Sequence, residues 1–590
     1  MPFGGRHFRP RVVALTLVAF TLYIIFSRKN ESQSTGEDIQ EFVQFPKNFQ
    51  PQPVIEGEFE HNKKEISDDV SAAFLKKLDK KTGKCPNYVE YSQSRHSPYS
   101  SGKFQYPYMR PAPKCRTFVS SAVERVIQDL KSRLRDPDLA RLVENCLPNT
   151  LDTTILWHRG RENKGVSNLQ SFVVTGDIHA EWLRDAARQL SVYQPFIKHD
   201  QKLKDLMVGA INTQANYLLI SPYCNAFHPP PQSNVKKGET AMDDVYPRPD
   251  WRQVFECKYE LDSLASFLTL TNDYYENSNG DLSFLSELWM RALEKVLIVM
   301  KRESFPSFDK KTGQALAFYY AFKRQTNIGS ETLPLAGIGN PVNYDTGLVR
   351  SAFRPSDDAT ILQFFIPANA HMVTELKRLR TNFLNEKMPS QFPAETFITA
   401  VDSFIESITS GIENYGIVNH PKWGKVYAYE VDGYGGNVFM DDANIPSLLS
   451  LPDIGYLDID DEIYQNTRKM ILAKDGNPYY LKGTHFEGIG GPHIGIHNAW
   501  PMSLLVKMRT SNDDEEITES LNLIMKTSAN LGLMHESVHV NSPHGKQYTR
   551  SWFAWCNSEF GKTILHLAAH KPHLIFKDGV PYNIDEALSR

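Results

Sequence analysis

The sequence has little net charge and lacks several motifs that would assign a function at once. Its 590 residues include 65 Lys and Arg against 69 Asp and Glu, a formal net charge of −4, which gives no reason to expect nucleic-acid binding. No G-x-S-x-G sequence is present, so a serine hydrolase of that type is not indicated. The glycines form neither a phosphate-binding loop nor a dinucleotide fingerprint, so nucleotide-dependent chemistry is not indicated either.

Cysteine pairs with zinc-like spacing are also absent. The chain has no C-x-x-C pair, so a structural metal site built from cysteines is not expected. If most of the chain is lumenal, one or two disulfides can form. The first candidate is Cys85 with Cys115, because both lie in a Pro-rich segment without an obvious core.

Residues 12–26 carry no charge and are flanked by basic residues on both sides. At about 1.5 Å per residue they span about 22 Å, short for a bilayer core of about 30 Å, so a cleaved signal peptide competes with an uncleaved anchor. A buried core helix is a third alternative. No small-x-small cleavage site follows Phe26, which favours an anchor with residues 1–11 cytoplasmic and the rest of the chain lumenal. The sequence therefore predicts a type II membrane protein, and the short span favours the endoplasmic reticulum or the Golgi.

A polar, Pro-interrupted segment follows the predicted anchor. Residues 27–115 contain few periodic apolar runs, which is typical of a stem or linker, with at most a short helix near residues 68–79. The Asn30-Glu31-Ser32 sequon lies close to the predicted membrane surface.

Helical periodicity dominates residues 116–590. Short β-like pieces occur at residues 170–174 and 426–429, without regular alternation of strands and helices. The pattern predicts an all-α domain, most simply a closed toroid of helix pairs; a helical solenoid is the alternative, although long Gly- and Pro-bearing loops argue against it. The predicted helices are 117–134, 137–146, 180–195, 201–219, 258–275, 281–303, 357–380, 395–413, 442–450, 461–473, 499–509, 514–529 and 552–568.

The loops between these helices are rich in polar and aromatic residues, which indicates one cavity to which many loops contribute. The segment from Phe353 to Asp358 combines an aromatic ring, a guanidinium, a proline and two adjacent carboxylates directly before an apolar run. Ser356 or Asp357 is also a good N-cap for a helix that begins near Asp358, so a purely structural role for these carboxylates is the competing interpretation.

At this point the chain resembles a known family. Its motifs are similar, in the same order over most of residues 140–568, to those of the exo-α-1,6-mannosidases of glycoside hydrolase family 125, and the anchor and stem resemble the extensions of fungal members, some of them known only as meiotically up-regulated proteins. The motifs that carry the resemblance are Asp177-Ile178, Trp182-Leu183-Arg184-Asp185, Phe353-Arg354-Pro355-Ser356-Asp357-Asp358, Phe439-Met440-Asp441-Asp442-Ala443-Asn444, Met534-His535-Glu536 and Trp552-Phe553-Ala554-Trp555.

The resemblance implies an (α/α)6 barrel and metal-independent, inverting removal of terminal α-1,6-linked mannose, without a cofactor. By motif, the general acid falls on Asp357 and the general base on Glu536. Two carboxyls far apart in sequence can be given different environments, and an ionised Asp358 beside Asp357 would raise the pKa of Asp357 and keep it protonated. A Pro-rich loop around residues 228–249 and Ala186-Ala187-Arg188 depart from the bacterial pattern, which leaves the subsite specificity open.

Further residues are expected to bind the substrate. Asp177, Arg184 and Asp185 are expected to bind mannose hydroxyls, although a buried Arg-Asp pair that ties helix ends together is the alternative. Trp182, Trp552 and Trp555 can form a stacking wall, but the i, i+3 spacing of the last two is equally typical of a core stripe. The remaining candidates are Tyr259, Arg354, Asp358, Asp441, Asn444 and His493.

Three histidines lie in a Gly-rich loop at positions 485, 493 and 497, and with Glu487 they could converge on a metal ion. Hydrogen bonding of His493 to a sugar hydroxyl is the alternative, and we expect no metal. The sequence thus predicts a membrane-anchored α-mannosidase that acts on mannose-containing glycans. Competing hypotheses are a glycan-binding or quality-control protein without turnover, and another exo-glycosidase on the same barrel.

Overall fold

The computed structural model of the protein describes residues 84–161, 165–241 and 243–589. The predicted tail, the predicted anchor and the predicted helix near residues 68–79 lie outside the described residues. Among the residues that are described, no helix is both long enough and apolar enough to cross a bilayer.

Helices account for most of the regular structure, as the periodicity predicts. In chain order they are α1 (Tyr88–Tyr91), α2 (Ser121–Arg133), α3 (Pro137–Cys146), α4 (Asn149–Thr153), α5 (Leu183–Ser191), α6 (Gln201–Ile220), α7 (Leu261–Asn277), α8 (Glu287–Glu303), α9 (Ile366–Asn382), α10 (Ala394–Gly411), α11 (Glu462–Ile471), α12 (Pro501–Arg509), α13 (Asp514–Lys526), α14 (Ala554–His570), α15 (Pro572–Ile575) and α16 (Ile584–Ser589).

The strands are short and pair only in small antiparallel sheets of two or three strands. The predicted β-like pieces correspond to β2 and β10. The strands are β1 (Ile155–Arg159), β2 (Gln170–Val173), β3 (Glu181–Trp182), β4 (Ala226–Phe227), β5 (Asp244–Tyr246), β6 (Val254–Glu256), β7 (Ala321–Lys323), β8 (Phe364–Phe365), β9 (Ile417–His420), β10 (Gly424–Tyr427), β11 (Glu430–Val431), β12 (Asn437–Val438), β13 (Tyr480–Lys482), β14 (Glu487–Ile489), β15 (Asn498–Ala499) and β16 (Val538–His539).

The helices form two layers. In the inner layer α5 packs on α7, α7 packs on α9, and α14 packs on both α5 and α12. Outer helices cover this layer: α10 contacts α9, α13 contacts α12, and α3 contacts α14. Inner helices such as α7 are buried almost all round, whereas the outer helix α8 buries one face, as expected for its position. Because the last long helix packs on the first inner helix, the arrangement differs from an open solenoid, in which the first and last repeats stay apart.

Side-chain caps fix several helix starts where the sequence places Asp or Ser. Asp200 accepts hydrogen bonds from the backbone N–H groups of Lys202 and Leu203 at the start of α6. Caps of this kind contribute about 1 kcal/mol each. They explain why the boundaries of most predicted helices agree with the structure to within a few residues.

One predicted helix is absent, and the reason is a buried carboxylate. Residues 442–450 form turns instead of the predicted helix. Asp441 accepts hydrogen bonds from the backbone N–H groups of Leu448 and Leu449, at 2.8 and 3.0 Å. The side chain thereby replaces helical hydrogen bonding in this segment.

The end of the predicted stem belongs to the packed domain. Tyr106 and Met109 are buried, and Arg110 bonds Asp152 in the helical domain at 2.7 Å. The predicted Cys85–Cys115 disulfide is present. The packed domain therefore begins before the predicted boundary at residue 116. Residues 84–115 lack helical periodicity, so the sequence pattern does not reveal that they pack on the domain through individual aromatic and charged side chains.

Candidate active site

A small cavity of about 240 Å³ lies where the inner helices begin. Trp182, Trp500 and Phe553 line it and directly precede α5, α12 and α14. Helix N-termini carry partial positive charge, so this end of the layer favours anionic groups. The lining residues are Thr175, Ile178, Trp182, Arg184, Asp185, Phe255, Glu256, Lys258, Arg324, Glu331, Pro355, Ser356, Asp357, Asn444, His493, Trp500, Glu536, Arg550, Phe553 and Trp555.

Asp357 enters the cavity from a tight turn, not from a helix. The N–H of Asp357 donates to the carbonyl of Arg354 at 2.9 Å, and the N–H of Arg354 donates to the carbonyl of Asp358 at 2.8 Å. The φ of Asp357 is +67°, a left-handed value that is costly for a residue with a Cβ. The predicted helix start near Asp358 is therefore wrong, since α9 begins only at Ile366. The strained turn leaves Asp357 partly exposed to the cavity while Asp358 is buried.

Cations surround the Asp357 carboxylate. Burial acts to raise the pKa of Asp357, but the positive charges of Lys258, Arg184 and His493 outweigh burial and hold this pKa below its usual value. Arg184 Nη2 lies 4.0 Å from Asp357 Oδ1. The expectation that the pKa of Asp357 is raised beside Asp358 is therefore wrong, because these cations dominate.

A group of buried carboxyls lies behind Asp357. Arg184 Nη1 lies 2.5 Å from Glu260 Oε2 and 3.1 Å from Asp262 Oδ2, and Arg184 Nη2 lies 3.4 Å from Asp185 Oδ2. Burial raises the pKa of Asp185 to about 7 and raises that of Glu260 well above its usual value. Arg184 thus takes part in a buried ion cluster, the predicted alternative, and also lines the cavity.

Glu536 enters the cavity from the loop before β16. Its Oε2 accepts a hydrogen bond from the Thr549 hydroxyl at 2.7 Å, and its Oε1 lies 3.3 Å from Arg550 Nε. Arg550 also bonds Asp177. These contacts fix the orientation of the Glu536 carboxylate and place Asp177 behind Arg550 at the edge of the cavity.

His493 carries positive charge into the cavity. Its Nδ1 lies 3.9 Å from Asp358 Oδ1. Burial acts to lower the pKa of His493, but the carboxylates of Asp358, Asp357 and Glu536 raise this pKa to about 9. The three histidines of the Gly-rich loop do not converge: no group of three or more His, Cys, Asp or Glu side chains within the described ranges could hold a metal ion.

Many of the sequence-predicted site residues meet in this cavity. The structure brings together Trp182, Arg184, Asp185, Asp357, Asn444, His493, Glu536 and Trp555.

Other predicted substrate-binding residues lie behind the cavity wall. Tyr259 is buried among aromatic rings, and Arg354 bonds Glu430 at 2.6 Å, which supports the turn that carries Asp357. Asp441 holds backbone N–H groups, and Asp358 accepts from Ser356. The predicted contact of these four residues with the sugar is therefore wrong: they support the cavity wall from behind.

The two tryptophans of the Trp-x-x-Trp motif lie in different surroundings. Trp555 lines the cavity and its Nε1 donates to Glu559 at 3.0 Å, with the Arg184 guanidinium over its ring. Trp552 packs with Met109 and Leu533 outside the cavity. The stacking hypothesis therefore fails for Trp552, whose i, i+3 spacing reflects core packing.

Sequence reasoning missed Asn225 and Trp500. Asn225 Nδ2 lies 3.3 Å from Asp357 Oδ1, and Asn225 Oδ1 accepts from the backbone N–H of Lys258. A disulfide joins Cys224 to Cys257, the residues immediately before Asn225 and Lys258. The available signal was a pair of cysteines each followed by a polar residue, which alone does not indicate a site.

Comparison with known proteins assigns the family. A model described as metal-independent alpha-mannosidase (GH125) matches residues 136–565. The chain belongs to glycoside hydrolase family 125. The resemblance predicted from the motifs is thereby confirmed.

Two relatives extend the comparison. The meiotically up-regulated gene 157 protein of Schizosaccharomyces pombe is 52% identical over 507 residues, which cover 86% of this chain and 97% of that protein. A Streptococcus pneumoniae metal-independent alpha mannosidase, solved in a non-productive complex with alpha-1,6-mannobiose, is 31% identical with a TM-score of 0.67 over 76% of this chain and 98% of that one.

Proposed function

We propose that this chain is an inverting exo-α-mannosidase that removes terminal α-1,6-linked mannose from glycans without a metal or other cofactor. The observation that carries the proposal is that Asp357 and Glu536 line one cavity of about 240 Å³. Family membership supports a mannose-containing substrate, and the bacterial relative's complex with alpha-1,6-mannobiose supports the linkage. The two layers of helices, in which the last long helix packs on the first inner helix, support the (α/α)6 barrel that the family resemblance implies.

In the proposed reaction Asp357 gives a proton to the glycosidic oxygen as the bond from this oxygen to C1 breaks. Glu536 takes a proton from a water molecule that attacks C1 from the opposite face of the sugar ring. Inverting hydrolysis of this kind needs the two carboxyl groups roughly 6.5 to 9.5 Å apart, so that the water fits between the base and the sugar. The location of both groups in one small cavity supports this arrangement.

Unpartnered polar atoms are available to bind the sugar. Trp182 Nε1 and Trp500 Nε1 are buried and have no hydrogen-bond partner in the part of the chain that the structure describes. Both tryptophans line the cavity, as do Asp185 and Asn444. Sugar hydroxyls would satisfy these donors and acceptors, which otherwise stay desolvated at a cost.

The test is incubation of purified residues 84–590 with α-1,6-mannobiose, followed by proton NMR of the released sugar. We expect free mannose whose first-formed anomer is β, since inversion at an α-linked carbon gives the β product. Protection from thermal unfolding by mannose without turnover would instead support a glycan-binding protein. Turnover of another sugar or linkage would support a different exo-glycosidase.

We also propose that residues 12–26 anchor the catalytic domain in an early secretory membrane, with the domain in the lumen. The uncharged stretch between basic flanks supports this, and so do the Cys85–Cys115 and Cys224–Cys257 disulfides, because disulfides persist in oxidising compartments. Protease protection of the full chain in intact microsomes, combined with resistance to carbonate extraction, is the expected result. Carbonate-soluble or protease-sensitive protein would contradict it.

A further inference from the structure

Glu260 is a buried carboxyl neighbour of Asp357 that does not itself line the cavity. It directly precedes α7 and is almost completely buried. Its Oε2 accepts hydrogen bonds from Arg184 Nη1 at 2.5 Å and from the Ser263 hydroxyl at 2.7 Å. The Asn225 amide lies within 3.3 Å of a carboxyl oxygen of both Glu260 and Asp357, and the interaction with Glu260 helps to lower the pKa of Asp357. Two carboxyls this close favour one shared proton over two negative charges.

Asn225 fixes the two carboxyls relative to each other. Its Nδ2 lies 3.2 Å from Glu260 Oε1 and 3.3 Å from Asp357 Oδ1. Oε2 of Glu260 accepts from the charged Arg184 and from Ser263, whereas Oε1 accepts only from the neutral Asn225 amide, so Oε1 is the oxygen better able to carry a proton. The Asn225 amide that contacts this oxygen also contacts Asp357.

The charges around the pair determine where the proton resides in the free enzyme. Burial acts to raise the pKa of Asp357, but the cations of Lys258, Arg184 and His493, together with the interaction with Glu260, hold this pKa below its usual value, and Arg550 faces Asp357 as well. Asp357 is therefore held as the carboxylate.

The remaining carboxyls face Arg184 from α5 and α7. They are Asp185, Glu260 and Asp262, and Arg184 is the cation that all three share. So many buried carboxyls cannot all ionise around one guanidinium. Burial raises the pKa of Glu260 well above its usual value, with the negative charges of Asp357 and Asp262 adding to the effect.

We propose that Glu260 is a positioning residue that holds, in the free enzyme, the proton that Asp357 delivers during catalysis. The inference rests on the proposed mannosidase function. As the bond from C1 to the glycosidic oxygen breaks, the single proton of the pair passes from Glu260 to the Asp357 carboxylate and from Asp357 to that oxygen, so Asp357 ends as a carboxylate again. Glu260 is left as a carboxylate paired with Arg184. The proton that Glu536 takes from water leaves to solvent, and solvent returns one proton to the pair, so protons balance over a turnover.

Two substrates separate this role from a structural one. The leaving group of α-1,6-mannobiose needs a proton, whereas dinitrophenolate leaves 2,4-dinitrophenyl α-mannoside without one. We expect Glu260→Gln to lower kcat on mannobiose about 100-fold, within the usual contribution of general acid catalysis, and to change kcat on the dinitrophenyl substrate less than about 3-fold. Asp262→Asn is the matched control, because Asp262 also bonds Arg184 but is not hydrogen-bonded to Asp357. It should affect both substrates equally.

The pH profile gives a second readout. Wild-type activity requires one proton on the pair, so kcat/KM on mannobiose falls as pH rises through the pKa of the pair. In Glu260→Gln the proton must reside on Asp357 alone, whose pKa is lowered, so the alkaline limb should move down by about one pH unit or more. Equal losses on both substrates, or an unmoved alkaline limb, would overturn the proposal.

A milder variant covers the case in which Glu260→Gln does not fold. Ser263→Ala removes a donor that lowers the pKa of Glu260, so the alkaline limb should move to higher pH. An unmoved limb in a folded Ser263→Ala protein would overturn the proposal. Failure of the wild-type protein to hydrolyse either substrate is a different outcome, and it would refute the proposed function itself.

Discussion

Arg550 Nε lies 3.3 Å from Glu536 Oε1, so a guanidinium orients the carboxylate that is proposed to activate water. The same guanidinium bonds Asp177, which holds Arg550 in place. This contact is shared between loops that are far apart in sequence. It therefore couples the orientation of the proposed base to the structure of the cavity edge.

Replacing Arg550 should reduce turnover without unfolding the protein. We expect Arg550→Gln to lower kcat on α-1,6-mannobiose by about 10- to 100-fold, because a base that rotates away from the water loses much of its effect. Stability should change little, since the Arg550 side chain is partly exposed. Arg252→Gln is the control, because Arg252 pairs with Asp250 on the surface. Wild-type kcat in Arg550→Gln would show that the contact does not orient the base.

His493 should make stability depend on pH. Its pKa is raised to about 9 from a usual 6.5, so the protonated imidazole stabilises the folded state. This contribution is complete below about pH 6.5 and is lost as pH rises through about 9. We expect the difference in Tm between wild type and His493→Gln to be largest near pH 6 and to vanish near pH 10. His485→Gln, at an exposed position of the same loop, should show no such trend. A pH-independent difference for His493→Gln would contradict the assignment.

The two disulfides should differ in their effect on activity. Each closes a loop of similar length, with sequence separations of 30 and 33 residues, so removing either should cost about 3 kcal/mol of unfolding free energy. Only Cys224–Cys257 adjoins Asn225 and Lys258, the neighbours of Asp357.

We therefore expect Cys224→Ala with Cys257→Ala to lower kcat by about 10-fold, and Cys85→Ala with Cys115→Ala to leave kcat unchanged. Unfolding in urea measures the first effect and mannobiose hydrolysis the second. Equal kcat in the two double variants would show that the disulfide near Asn225 does not position the groups around Asp357.

Most helices could be predicted because apolar periodicity and caps act locally. The turn at Asp357 could not be predicted, since Ser356 and Asp357 are equally good N-caps for a helix. The positive φ of Asp357 cannot be recognised from the residue type. The segment after Asp441 was misassigned for a related reason. A buried carboxylate that bonds backbone N–H groups replaces a helix only once tertiary packing has placed it.

The family motifs identified the cavity but not which motif residues face it. Trp552 and Trp555 share a helix-like spacing, but Trp552 packs with Met109 whereas Trp555 lines the cavity. Asn225 and Lys258 act on Asp357 from other parts of the chain. The pKa of Asp357 therefore depends on contacts that no local sequence pattern contains.

Asp357 and Glu536 are proposed to act as acid and base on one glycosidic bond. The most direct measurement is kcat on α-1,6-mannobiose for Asp357→Asn and Glu536→Gln, beside the exposed surface control Asp345→Asn. We predict losses of about 100-fold or more for each of the first two, in proteins that unfold cooperatively, and none for the control. A folded Asp357→Asn or Glu536→Gln protein that hydrolyses the disaccharide at the wild-type rate would contradict it.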